Sequence, residues 1–127
     1  PNFNTAINPN FNTAINPNFN TAINPNFNTA INPYFNTAIN PKFNLNFSDY
    51  RLFNLNNESI GFLSYTGKTW NYHNNDAKWI GYFILNSKGG LNLFNKNGLW
   101  INYAVENLEG GFNVYKLDGT WKAFLTK

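Results

Sequence analysis

A chain of 127 residues has room for one small domain and an appendage. Only 12% of it is charged, about half the roughly 25% of an average soluble domain, while 43% is hydrophobic and 19% aromatic. That balance excludes a globally disordered chain, and the absence of Cys excludes disulfides, thiolate metal sites and cysteine nucleophiles.

Polarity comes from amides: the chain holds 29 Asn. The net charge of +3 arises from Lys and Arg scattered singly, so no nucleic-acid patch is expected. No stretch approaches the roughly 18 apolar residues of a membrane span.

The chain opens on an octapeptide repeat. Four identical copies of PNFNTAIN occupy 1–8, 9–16, 17–24 and 25–32. A fifth, PYFNTAIN at 33–40, differs only at Tyr34, and a decayed sixth, PKFNLNFS, fills 41–48. All six Pro lie between Pro1 and Pro41, and all nine Gly lie between Gly61 and Gly119. Residues 1–40 contain no Lys, Arg, His, Asp or Glu. This shift in chemistry divides the chain into a repeat segment, 1–48, and a second domain, 49–127.

Within each copy, Asn-Pro-Asn is a turn signal, because Pro fixes φ and Asn suits the preceding position. The intervening Phe-Asn-Thr-Ala-Ile reads as a short strand. Strand alternation puts Phe, Thr and Ile on one face, and the even period preserves that parity in every copy. The expected apolar ladder is Phe3, Ile7, Phe11, Ile15, Phe19, Ile23, Phe27, Ile31, Phe35 and Ile39. The strand array is either solenoid-like or paired with neighbouring molecules. No charged gatekeeper interrupts it, so self-association through its strand edges is expected.

The second segment reads as an antiparallel β-meander or small sandwich. GLNLFNKNGLWINY at 90–103 and GFNVYKLDGTWKAF at 111–124 align without gaps, and GFLSYTGKTWNY at 61–72 is a looser copy. Asn97-Gly98 and Asp118-Gly119 are hairpin signals of the two-residue type. Strands are expected near 60–66, 69–74, 78–86, 91–96, 99–105, 111–117 and 120–126. Two-residue turns would place Leu91, Leu93, Trp100 and Ala104, with Phe112, Val114, Trp121, Ala123 and Leu125, on core faces. The opposite face would hold Asn92, Phe94, Ile101, Tyr103, Asn113, Tyr115, Lys122 and Phe124. Such an aromatic and amide-rich face suits a second sheet, an assembly interface or a ligand. These self-contained turns and faces lead to the expectation that 57–127 folds without the repeat.

Catalytic and metal chemistry find little here. His73 sits in YHNND, which reads as a solvated loop, and the six acids are scattered, with Asp118 committed to its turn. No nucleophile elbow, P-loop or dinucleotide fingerprint is present. No catalytic residue, metal or cofactor is expected. Trp70 and Trp79 flank the polar insert and are expected to be exposed. With Phe94, Tyr103, Tyr115, Asn92 and Asn113 they form a candidate ligand or interface face, where rings stack on sugars and amides meet hydroxyls. The sequence thus points to a non-enzymatic, self-associating structural protein of an extracellular or cell-surface filament, matrix or adhesin. The alternative is a carbohydrate-binding module on a repeat stalk.

Overall fold

A computed structural model describes residues 7–43, 50–86 and 88–127. The second segment forms eight strands: β1 Arg51–Asn54, β2 Ser59–Tyr65, β3 Trp70–His73, β4 Trp79–Leu85, β5 Leu91–Asn95, β6 Trp100–Glu106, β7 Phe112–Lys116 and β8 Trp121–Thr126. Each runs antiparallel to the next, and β8 returns to β1 from Arg51↔Thr126 to Asn54↔Ala123. The meander therefore closes into a barrel rather than a sandwich. Seven of the strands correspond to the seven expected from sequence. The eighth, β1, ends on Phe53-Asn54, a dipeptide of the repeat, and it is the strand that closes the sheet.

One side chain in two along each strand points inward. Leu52, Leu63, Phe83, Leu91, Leu93, Ala104, Phe112, Val114, Ala123 and Leu125 are buried there, with Tyr50, Ile60, Trp70 and Tyr72 packed against them. An eight-stranded barrel is just wide enough for side chains to fill, and here they do. Closure at this diameter demands close backbone approach. A Cβ at Gly111 would run into the carbonyl oxygen of Leu125. Gly111→Ala should therefore cost about 1–3 kcal/mol as a local overpacking defect, measured by urea unfolding.

Most connections use one device. Asn54, Asn74, Asn86, Asn95 and Asn107 each accept backbone N–H groups two and four residues ahead through Oδ1, at 2.9–3.0 Å. The residue three places on adopts positive φ: Asn57, Ala77, Gly89, Gly98 and Gly110. The loop from Lys116 to Thr120 repeats the backbone pattern, with Gly119 at φ 92. These are three-residue loops with a left-handed final residue, the turn-plus-bulge hairpin, instead of two-residue turns. The extra residue shifts parity. Phe94 pairs with Trp100 and Tyr115 with Trp121, each beside a register irregularity. Trp100 and Trp121, expected in the core, therefore share the outer face with Phe94 and Tyr115.

The repeat is not a strand array. Thr13–Ile15, Thr21–Ile23, Thr29–Ile31 and Thr37–Ile39 are single turns of 3-10 helix, and each following Pro-x pair is a tight turn in which the Asn8 carbonyl, for instance, accepts from Phe11 and Asn12. Asn side chains cause the difference by outcompeting inter-strand hydrogen bonds. Asn16 Nδ2 donates to the Pro9 carbonyl at 2.9 Å while its Oδ1 accepts from the Asn18 N–H at 2.9 Å. Asn20 Nδ2 reaches back into the preceding copy, to the Ala14 carbonyl, at 2.9 Å. Later copies repeat both bonds. Two of the three Asn per copy thus hold the array together locally.

The expected ladder consequently splits. Ile15, Ile31 and Ile39 are buried and Ile23 is half-buried, whereas Phe11, Phe19, Phe27, Phe35 and Phe43 are 67–72% exposed. Phe3 and the expected 48/49 boundary lie outside the described residues. The isoleucines turn towards the barrel. Ile15 forms a second core with Trp79, Tyr82, Ile84 and Phe94, joined by Ile23 and Trp100. Amides pin the array to the outer face of β3–β6: Asn92 Nδ2 donates to the Ile7 carbonyl at 2.7 Å, Asn26 Nδ2 to that of Lys96 at 2.6 Å, and Asn71 Nδ2 to that of Ile31 at 3.0 Å.

Candidate functional site

The face proposed from sequence is dispersed. Phe94 and Asn92 lie buried beneath the repeat, and Trp79, expected to be exposed, is buried in the same core. Trp70 packs against the barrel interior. Tyr103 and Tyr115 stack on each other at 5.4 Å on the outer face of β6–β7, and Asn113 accepts from Asn107 Nδ2 at 3.4 Å. The aromatic, amide-rich face does have a partner over β4–β5, and that partner is the chain's own repeat.

A groove of about 430 Å³ opens where the fifth and sixth copies pass the β3–β4 hairpin. Pro33, Tyr34, Asn40 and Lys42 line it from the repeat, and His73, Asp76, Ala77, Lys78 and Trp79 line it from the barrel. Tyr34 meets Trp79 edge to face, with ring centroids 5.3 Å apart. Asn40 fixes the repeat wall: its Nδ2 donates to the Pro33 carbonyl at 3.1 Å and its Oδ1 accepts from the Lys42 N–H at 3.0 Å. Lys42, Asp76 and Lys78 are exposed.

His73 ends β3 and is 1% exposed, not the solvated loop residue its YHNND context suggested. Its ring stacks on Phe62 at 5.4 Å. Burial lowers its pKa from 6.5 to about 4, with the Ala77 backbone pulling the other way. The imidazole is therefore neutral at pH 7, and neither ring nitrogen makes a hydrogen bond of normal geometry. Among the described residues no three His, Cys, Asp or Glu side chains converge as metal ligands would.

A second groove, of about 380 Å³, lies around Trp121, which is 47% exposed, with Asn107, Leu108, Glu109, Asn113 and Phe124. The indole is fixed in place because its Nε1–H donates to the Ala123 carbonyl at 2.9 Å. Sequence reasoning missed Tyr34, Lys42 and Trp121 as site residues. For the first two a signal was present, since they are the places where the second position of the repeat departs from Asn. For Trp121 the error lay in the turn type.

Comparison with known proteins gives no match: no protein family, characterised sequence or solved structure resembles this chain at a significant level.

Proposed function

We propose that this chain is a non-enzymatic structural protein, a self-associating subunit of an extracellular filament, matrix or adhesin, whose copies join through the phenylalanine row. The observation that carries this reading is the set Phe11, Phe19, Phe27, Phe35 and Phe43, all at least two-thirds exposed and recurring every eighth residue. Large apolar side chains displayed together mark interaction surfaces. The occupant argued for is a second copy. Repetition makes the row match itself under a shift of one copy, and its surroundings up to residue 40 carry no charge to repel a twin.

The contact belongs to side chains and not to strand edges. The barrel is closed, and the repeat satisfies much of its own backbone. Fully burying a phenyl ring contributes about 1.5–3 kcal/mol. The variant carrying Phe19→Ser, Phe27→Ser and Phe35→Ser should therefore associate at least about a hundredfold more weakly than the parent, with an unchanged circular dichroism spectrum. Sedimentation velocity and electron microscopy read the outcome. A parent that stays monomeric at high concentration would sink the proposal.

A second reading, a carbohydrate-binding module, is favoured by the Trp121 groove. There a fixed, half-exposed indole lies beside the amides of Asn107 and Asn113, the pairing of flat apolar face and polar groups that sugars require.

A further inference from the structure

The barrel contains one three-strand unit twice. β4, β5 and β6 align with β6, β7 and β8 at a constant offset: Trp79 with Trp100, Phe94 with Tyr115, Tyr103 with Phe124. The pairings keep that offset, Ile84↔Asn92 and Asn92↔Tyr103 in the first unit, Val105↔Asn113 and Asn113↔Phe124 in the second. So does the polar geometry. Asn86 Nδ2 donates to Asn92 Oδ1 at 3.4 Å, and Asn107 Nδ2 donates to Asn113 Oδ1 at 3.4 Å. The outward ring stacks match too, Tyr82 on Phe94 at 5.7 Å and Tyr103 on Tyr115 at 5.4 Å. The fold thus builds the same outer seat twice.

The first seat is filled by the chain's own octapeptide array. Asn92 Nδ2 donates to the Ile7 carbonyl, and Ile15 and Ile23 pack on the core of Ile84 and Phe94. The second seat is bare. Ile84 is 3% exposed, whereas its counterpart Val105 is 49% exposed. Asn113 is held by Asn107 as Asn92 is by Asn86, yet its Nδ2 meets no acceptor among the described residues. The groove around the half-exposed Trp121 lies there. Ile7 and Val105 line one small cavity, so the bare seat borders the array that fills the first.

We infer that the second seat receives octapeptide copies from another molecule of this chain. The filled seat shows what such a seat takes: an isoleucine carbonyl on the outward amide, with isoleucine side chains over the rings beside it. Asn113 Nδ2 supplies the donor, and Val105, Tyr115 and Trp121 supply the apolar floor. Because the copies are identical, a copy that leaves its own barrel for a neighbour's seat trades one amide–carbonyl bond for another of the same kind. The cover it gives to Trp121 and Val105 is the gain. Each molecule offers one array and one bare seat, so the contact is heterologous and can propagate head to tail. This inference shares with the reading above the premise that copies associate, but it uses the isoleucine side of the array and not the phenylalanine row.

The test titrates a synthetic peptide of three PNFNTAIN copies into the full chain and follows the indole ¹H–¹⁵N signals of Trp121 and Trp79. Trp121 is expected to shift saturably, and Trp79, in the filled seat, is not. Asn113→Asp keeps the acceptor for Asn107 but places an oxygen where the donor stood. It is expected to retain a cooperative melt while raising the peptide Kd at least about tenfold. If that variant melts uncooperatively, Trp121→Lys, at a half-exposed position, carries the same expectation, read by fluorescence anisotropy of labelled peptide. A peptide with Ser in place of each Ile is expected not to bind. One with Ser in place of each Phe is expected to bind as before, so a failure of the phenylalanine row leaves these results unchanged. Absence of a saturable Trp121 shift overturns the proposal, as does a shift of Trp79 alone or an unchanged Kd in Asn113→Asp. A Trp121 response to glucose with none to the peptide overturns it in favour of a sugar in the same groove.

Discussion

Acidification from pH 7 to pH 4 is expected to destabilise the folded chain by on the order of 3 kcal/mol through His73 alone. Its pKa is about 4 in the folded state, against 6.5 for the free side chain. Between those values the unfolded chain binds a proton that the folded chain refuses. The stabilisation is fully present above pH 6.5 and is lost as pH falls through the window towards 4. Asp76, Lys42 and Lys78 line the same groove, and Phe62 covers one face of the ring. Asp118, held low by hydrogen bonds from Thr120, also loses its contribution with falling pH, but it is fully exposed and acts below this window. Urea unfolding at pH 7 and pH 4 measures the effect. In His73→Phe the drop between the two should shrink by most of that amount. A variant as acid-sensitive as the parent would contradict a buried neutral histidine.

Truncation should separate what β1 does from what the repeat does. The fragment 57–127 lacks β1, so β2 and β8 lose their mutual neighbour and the core loses Leu52. An opened barrel exposes two unpaired strand edges. No cooperative thermal transition is expected, contrary to the reading of the turns as self-sufficient. The fragment 50–127 keeps closure but uncovers Trp79, Tyr82, Ile84 and Phe94, which the isoleucines of the repeat cover. At about 1.5–3 kcal/mol for each large side chain fully buried, even partial uncovering costs several kcal/mol, a large fraction of a typical 5–15 kcal/mol stability. That fragment should still melt cooperatively, at a clearly lower temperature, and bind a hydrophobic dye. Equal stability with and without residues 1–49 would show that the second core contributes nothing.

The strands of the barrel were legible because alternation and Gly-containing turns are local signals. Closure was not, because Arg51–Asn54 is short and its Phe53-Asn54 repeats a dipeptide of the array. The core faces went wrong at Trp100 and Trp121 through a single residue per loop: Asn95 and Lys116 begin three-residue turns, and a strand's two faces exchange when the register slips by one. In the repeat, parity was read correctly as a pattern but assigned to the wrong conformation. Phe, Thr and Ile at alternate places fit a strand, yet Asn at the fourth and eighth positions bonds the backbone within one or two turns. Site residues such as His73 could not be recognised from sequence, because their burial depends on the repeat folding back across β3–β6.

The division of labour among the three asparagines has an evolutionary corollary. Those at positions four and eight are committed to the scaffold, whereas the side chain at position two is free of it and faces outward or towards the barrel, as with Asn26, Tyr34 and Lys42. A point mutation there edits a contact without disturbing the array. Duplication or loss of a whole copy, the commonest accident of tandem sequence, would leave every remaining copy with the same isoleucine to turn towards the barrel. If it occurs ahead of Tyr34, the groove is left untouched. Copy number can thus drift to set how far the phenylalanine row extends, while the two specialised copies stay anchored beside the barrel. The length of the row and the lining of the groove are encoded in separable parts of one repetitive segment.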